Sequence, residues 1–119
     1  MTHRTPTPDD TRYLMDTIYV IGGKWRLLIM LSLSQGHTRF SDILRSIPGI
    51  TPRMLSRELK HLELNKIVVR ELNDDTDNTD YRVTVYCQSF DPVVQAMVEW
   101  GRQHLENIKA DQFRPRAVK

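Results

Sequence analysis

Between Gly49 and Asn65 the chain reads GITPRMLSRELKHLELN. Its apolar positions Leu55, Leu59 and Leu62 recur at i, i+4 and i+7, the spacing of one helix face. Arg53, Arg57 and Lys60 repeat that spacing two residues earlier, which at 3.6 residues per turn is about 200° of rotation. The pattern predicts a helix with leucines on one side and three cations on the other. Thr51-Pro52 supplies its start, a polar N-cap followed by Pro at the first helical position. Upstream, Phe40, Ile43, Leu44 and Ile47 predict a short helix from Asp42 to about Ile47. Ser41 would cap it, and a short strand at Thr38-Arg39-Phe40 would lead into it. Pro48-Gly49 breaks that helix. A short helix, a tight turn and a second helix over residues 41–65 make a helix-turn-helix, whose second helix enters the DNA major groove.

The flanks complete the architecture. IVVREL, the polar NDDTDNTD and YRVTVYC predict a hairpin over 67–87 with a long turn, with Tyr81, Val83, Val85 and Cys87 on its inner face. A helix-turn-helix followed by a hairpin is a winged helix. Thr7-Pro8 opens a helix over about 8–21, with Thr7 as its cap and Tyr13, Leu14, Ile18 and Ile21 as its stripe. Gly22-Gly23 interrupts it. From Lys24 to about Ser34 the chain is apolar nearly all round, the mark of a helix in the centre of a core. Asp91-Pro92 opens a last helix over about 91–110. Its seam is Val94, Met97, Gly101, Leu105 and Ile108, and Val93, Val98 and Trp100 add more apolar surface than one side needs. The closing DQFRPRAVK reads as loose. The fold class expected is mainly α with a small β-hairpin wing, a winged helix-turn-helix of the MarR-like kind, in one domain. Tyr13, Leu14, Ile18, Met97, Gly101, Leu105 and Ile108 are the expected dimer seam.

Composition narrows the function. Hydrophobic residues make up 39% of the 119 and charged ones 27%, values of an ordinary soluble globular chain. No apolar run approaches the length of a membrane span, and the N-terminal stretch lacks a signal-peptide core, so a cytoplasmic protein without a membrane partner is expected. Cys87 is the single cysteine, so it forms no internal disulfide. His3, His37, His61 and His104 are scattered without ligand or triad spacing, so neither an enzyme nor a metal or other cofactor is expected. Asp75 to Asp80 hints at a calcium loop but lacks the glycine and the closing glutamate such a loop needs.

Net charge is only +2, but it is unevenly placed. Residues 37–70 hold seven Lys/Arg against three Asp/Glu, whereas 71–91 hold one Arg against six acids. A basic stripe on one helix is a footprint of nucleic-acid binding. Arg53 and Arg57 have no acid three or four residues away, and Glu63 is placed to relieve Lys60. Thr51, Arg53 and Ser56, at the N-terminal end of the recognition helix, are the expected base readers. Arg57 suits a base or a phosphate, and Lys60, Arg39 and Lys24 suit phosphates. Arg70 and Arg82, at the base of the wing, suit wing contacts, because the acidic tip would be repelled by DNA. The alternative class is a protein-interaction module that reuses the winged helix without binding DNA; its sign would be a recognition face without cations.

Ile21-Gly22-Gly23-Lys24-Trp25, Arg39-Phe40, Pro48-Gly49-Ile50, Met54-Leu55, Leu59 and Leu62-Glu63 together resemble the HxlR-type family of bacterial transcription regulators. The resemblance runs from Ile21 to Leu72, about half of the chain. It implies a winged-helix protein that binds a double-stranded DNA operator as a homodimer built by its first and last helices. A small-molecule inducer would be a further partner, of a chemistry the sequence does not specify. Two features depart from the family. Its oxidant-sensing cysteine, where present, falls at about Arg12 here, and its proline-containing wing is replaced by the acidic Asp74 to Asp80 run.

Overall fold

The structure, a computed structural model, describes residues 4–75 and 78–110. In chain order they form α1 (Asp10–Ile21), α2 (Arg26–Ser34), α3 (Phe40–Ser46), α4 (Pro52–Leu64), β1 (Val68–Asn73), β2 (Asn78–Val83), a 3-10 turn (Tyr86–Phe90) and α5 (Asp91–Lys109). The chain divides into two compact units, Met1–Cys87 and Gln88–Lys119. The first holds a winged helix-turn-helix: α3, a turn and α4, followed by the antiparallel pair β1–β2.

Its core is built where the apolar stripes meet. Ile29, Met30 and Leu33 come from α2 and Ile43 from α3. Leu55, Leu59 and Leu62 come from α4, with Ile47, Ile50, Ile67 and Val68 closing the ends. Each such side chain contributes roughly 1.5–3 kcal/mol when fully withdrawn from water. One polar link crosses this region, the Ser32 and Ser46 hydroxyls at 2.6 Å between α2 and α3. The turn into α4 passes close under Trp25, 3.7 Å from where a Cβ on Gly49 would stand, and Gly49 has φ +90. The contact would be an ordinary one, so it is the left-handed backbone that favours glycine there.

Several elements differ from expectation. α1 begins at Asp10, not at Pro8, and Thr7 does not cap it by accepting a bond. Instead the Thr7 N–H donates to the Asp10 carboxylate at 2.8 Å. Arg4 grips the same carboxylate with both terminal nitrogens, and together these hold the Asp10 carboxyl below its ordinary pKa. α2 begins only at Arg26, because Gly23 takes φ +91 and the turn runs on through Trp25. α2 buries one side and leaves Leu28 and Leu31 about half exposed in the single chain, so it is not apolar-surrounded as its composition suggested.

No strand forms at Thr38-Arg39-Phe40. A single backbone bond, from the Tyr81 N–H to the Thr38 carbonyl at 2.7 Å, ties this segment to β2. Helix α3 then starts at Phe40 with Arg39 in the N-cap position, leaving Ser41 inside the helix. The hairpin pairs from Val68↔Val83 to Asn73↔Asn78, so its connection is only residues 74–77 rather than the whole polar run. β2 ends at Val83, short of Cys87. Thr84 turns back, its N–H donating to Ile67 O at 2.9 Å and its hydroxyl to Lys66 O at 2.7 Å. Val85 is therefore exposed, and Cys87 is buried in the 3-10 turn rather than on a strand face. The tail 111–119 and Thr76-Asp77, part of the expected calcium-like run, lie outside the described residues.

The joint between α4 and the wing rests on one unusual residue. Lys66 has φ +66, and the N–H groups of Lys66 and Ile67 donate to Glu63 O at 3.1 Å and Leu62 O at 3.0 Å. This is the left-handed helix ending that glycine normally occupies. A side chain there carries a backbone cost of order 1 kcal/mol, part of which glycine gives back through greater freedom in the unfolded chain. Lys66→Gly should therefore raise the unfolding free energy by about 0.5–1 kcal/mol. Urea denaturation of the two proteins checks this; a lower midpoint for the glycine variant would mean that the lysine stem contributes packing that outweighs the strain.

Candidate nucleic-acid interface

Helix α4 is held at its start by the Thr51 hydroxyl, which accepts the Met54 N–H at 3.1 Å. That contact satisfies one of the orphan donors of the first turn and leaves the hydroxyl proton of Thr51 to donate outward. With Leu55, Leu59 and Leu62 facing the core, Arg53, Ser56, Arg57 and Lys60 are all exposed. Among the described residues none of these three cations has an ion-pair partner. The arginines of neighbouring elements, Arg26, Arg39, Arg45, Arg70 and Arg82, all do.

Both acids of α4 face arginines of other elements, Glu58 on the far flank of the helix and Glu63 beside Ser56 and Lys60. Glu58 accepts from Arg26 Nε at 2.7 Å, and the other end of that guanidinium donates to the Tyr19 carbonyl at the end of α1 at 2.8 Å. Glu63 approaches Arg70 Nε of β1 at 3.8 Å, so it serves the wing rather than relieving Lys60. An exposed pair at that distance contributes little stability. Its effect is on position: Ser56, Leu59, Lys60, Glu63, Arg70 and Tyr81 line one open groove of about 240 Å³ between the recognition helix and the wing.

The remaining candidates separate into two places. Arg39, at the head of α3, and Arg82, on β2, both approach the carboxylate of Asp80, at 3.7 and 3.8 Å. Arg82 also donates to Glu71 across the hairpin at 3.1 Å. Asp80 reads in the sequence as part of the acidic tip, but it is buried, and no periodicity marked it out. Lys24 stands elsewhere. Its ammonium sits 4.7 Å over the Trp25 ring. It borders an open groove of about 370 Å³ with Tyr19, Glu58 and His61, on the side of α4 away from Ser56 and Glu63. There His61 stacks edge-on against Tyr19 and lies 3.1 Å from Val20 O, which ties the end of α1 to α4. The structure thus gathers Ser56, Lys60 and Arg70 into one groove and leaves Arg53 and Arg57 free on the outer face. It sets Arg39 and Arg82 over one acid and puts Lys24 apart from them all.

Comparisons with known proteins identify the family. The HxlR-like helix-turn-helix family matches residues 20–109. An HTH-type transcriptional regulator of Methanothermobacter thermautotrophicus is 41% identical over 91 residues, covering 73% of this chain and 70% of that one. The HTH-type transcriptional regulator YtcD of Bacillus subtilis is 32% identical over 98 residues, covering 82% and 78%. Among solved structures, the redox regulator HypR in its reduced form superposes with a TM-score of 0.74 at 32% identity, covering 82% of this chain and 98% of that one. None of the helices among the described residues is long and apolar enough to cross a membrane. With a winged helix whose recognition face carries unpaired cations, the chain belongs to the HxlR-like helix-turn-helix family and is a DNA-binding transcription regulator.

Proposed function

We propose that the chain works in the cytoplasm as a homodimer, with α1 and α5 forming the two-fold seam and two α4 helices entering successive major grooves of a palindromic operator. The observation that carries the DNA-reading half is the row of three exposed, unpaired cations on α4. Thr51, Arg53 and Ser56 then meet base edges, with Arg57 at a base or a phosphate. Lys60 and Arg39 meet phosphates, and Arg70 and Arg82 carry the wing contacts. Lys24, on the far flank of α4, is the weakest member of this set and reaches only an outlying phosphate.

The dimer half is supported by the terminal helices, neither of which buries a residue fully in the single chain. Tyr13, Leu14 and Ile18 are exposed on α1, and Met97, Gly101, Leu105 and Ile108 on α5. Apolar stripes of this kind mark interaction surfaces in soluble proteins. A closed two-fold seam covers both copies at once and gives the operator its symmetry. No redox switch is expected at Cys87, because its thiol is buried and burial slows attack by oxidants.

Three experiments test this reading. Lys60→Ala should flatten the plot of log K against log salt by about one phosphate's share and weaken all duplexes alike, whereas Arg53→Ala should lose about 1–3 kcal/mol of discrimination at one base pair per half-site. Salt titrations on selected and random duplexes separate the two, and equal loss on both duplexes for Arg53→Ala would make it a phosphate contact. Leu105→Glu, which places an unpartnered charge in the seam, should give monomers or aggregate and lose most operator affinity. Light scattering of the wild type at micromolar concentration is the control, and a clean monomer there would end the dimer reading. Diamide should leave DNA binding unchanged at doses that keep the protein folded. Reversible loss of binding that disappears in Cys87→Ser would show the thiol to be a sensor.

A further inference from the structure

Asp80 is the one charged side chain in the buried class among the described residues, with 9% of its side chain exposed. Its Oδ2 accepts from Asn73 Nδ2 at 3.3 Å and faces Arg82 Nη2 at 3.8 Å. Its Oδ1 faces Arg39 Nε at 3.7 Å and accepts no hydrogen bond from any described residue. A buried carboxylate is costly unless it is paired and fully hydrogen-bonded, and this one is only half satisfied. It is also an acid beside two cations that suit DNA phosphates, where it reduces their attraction for any duplex. Its position suggests what offsets both costs. The next residue, Tyr81, makes the backbone bond to Thr38, and Thr38 immediately precedes Arg39. Asp80 therefore stands where the wing meets the head of the helix-turn-helix.

We propose that Asp80 is a positioning residue for DNA recognition: its carboxylate aims the Arg39 guanidinium at an operator phosphate and holds the wing at a fixed tilt against α3. The approach is one of charge at 3.7 Å, without a hydrogen bond to Oδ1, so a buried and fixed carboxylate biases where the guanidinium lies without itself occupying the N–H donors that a phosphate takes. Arg39 is 41% exposed, so the group held this way still reaches solvent. Ordering it before DNA arrives removes that ordering cost from the binding step. The proposal rests on the operator-binding reading above and adds a signature of its own. Removing the carboxylate takes away a negative charge, so random DNA is bound as well as before or better. The operator is bound worse, because Arg39 and the wing are no longer aimed.

The test uses wild-type protein to enrich duplexes from a random-sequence library, then compares affinities for the enriched duplex and a scrambled one. Asp80→Asn, nearly the same shape, should lose about tenfold on the enriched duplex and nothing on the scrambled one. The double variant Asp80→Asn with Arg39→Ala should bind the enriched duplex no more weakly than Arg39→Ala alone, because Asp80 acts through Arg39. Equal loss on both duplexes together with a lower melting temperature would reduce Asp80 to a structural role. So would a loss that persists in the Arg39→Ala background, and no loss at all would overturn the proposal outright. Should Asp80→Asn not fold, Asp80→Glu, with the same charge one methylene further out, is held to the same criteria on the enriched duplex and in the Arg39→Ala background. A wild type that enriches no duplex sinks the operator reading and this proposal with it. An enriched duplex bound equally by wild type and variant sinks only the role of Asp80.

Discussion

The rotation of α4 about its own axis is the setting on which the rest depends, and three leucines fix it. Leu55, Leu59 and Leu62 are almost wholly withdrawn from water. Turning the helix by one residue, about 100°, would bring them toward solvent at a cost of several kcal/mol. With that angle fixed, Arg53, Arg57 and Lys60 have nowhere to point but outward. The address of the recognition face is therefore written in apolar burial, and the cations only occupy it.

A second layer of arrangement decides what charge that face presents. Counted along the sequence, α4 holds two acids that would partly cancel its cations. In the fold each acid is taken up by another element, Glu58 by Arg26 of α2 and Glu63 by Arg70 of β1. The same contacts brace the helix, because Arg26 also reaches the last turn of α1 and Arg70 belongs to the wing. Pairing the acids of α4 with other elements and placing the helix between its neighbours thus involve the same side chains.

How much of this was legible in the sequence follows from the range of each effect. The helix-turn-helix was readable because its signals are local: the leucine period, Thr51-Pro52 at the start of α4 and Pro48-Gly49 in the turn. The cation row was readable for the same reason. The limits of the hairpin were not, because Thr84 leaves β2 to bond with Lys66 and Ile67, a choice made across the sheet. Burial of Cys87 was expected from strand alternation and occurs through a 3-10 turn instead. Leu28 and Leu31 looked like core because composition does not tell the faces of an apolar helix apart. Asp80 was missed altogether: it sits in a run of acids that reads as solvated, and only the approach of Arg39 from a distant part of the chain singles it out.

The hairpin has a further consequence, for how the protein meets DNA before any contact is made. Asp74 and Asp75 are exposed at its end, while Arg70 and Arg82 stand near its base. A rod polarised in this way feels a torque in the field of a phosphate backbone, strongest within about a Debye length of the surface. Collisions led by the acidic end are disfavoured relative to those led by α4, whose cations have no ion-pair partner among the described residues. Arg70 and Arg82 are offset by Glu63, Glu71 and Asp80. A polarity of this kind would favour one orientation of approach without adding net positive charge that would hold the protein on indifferent DNA.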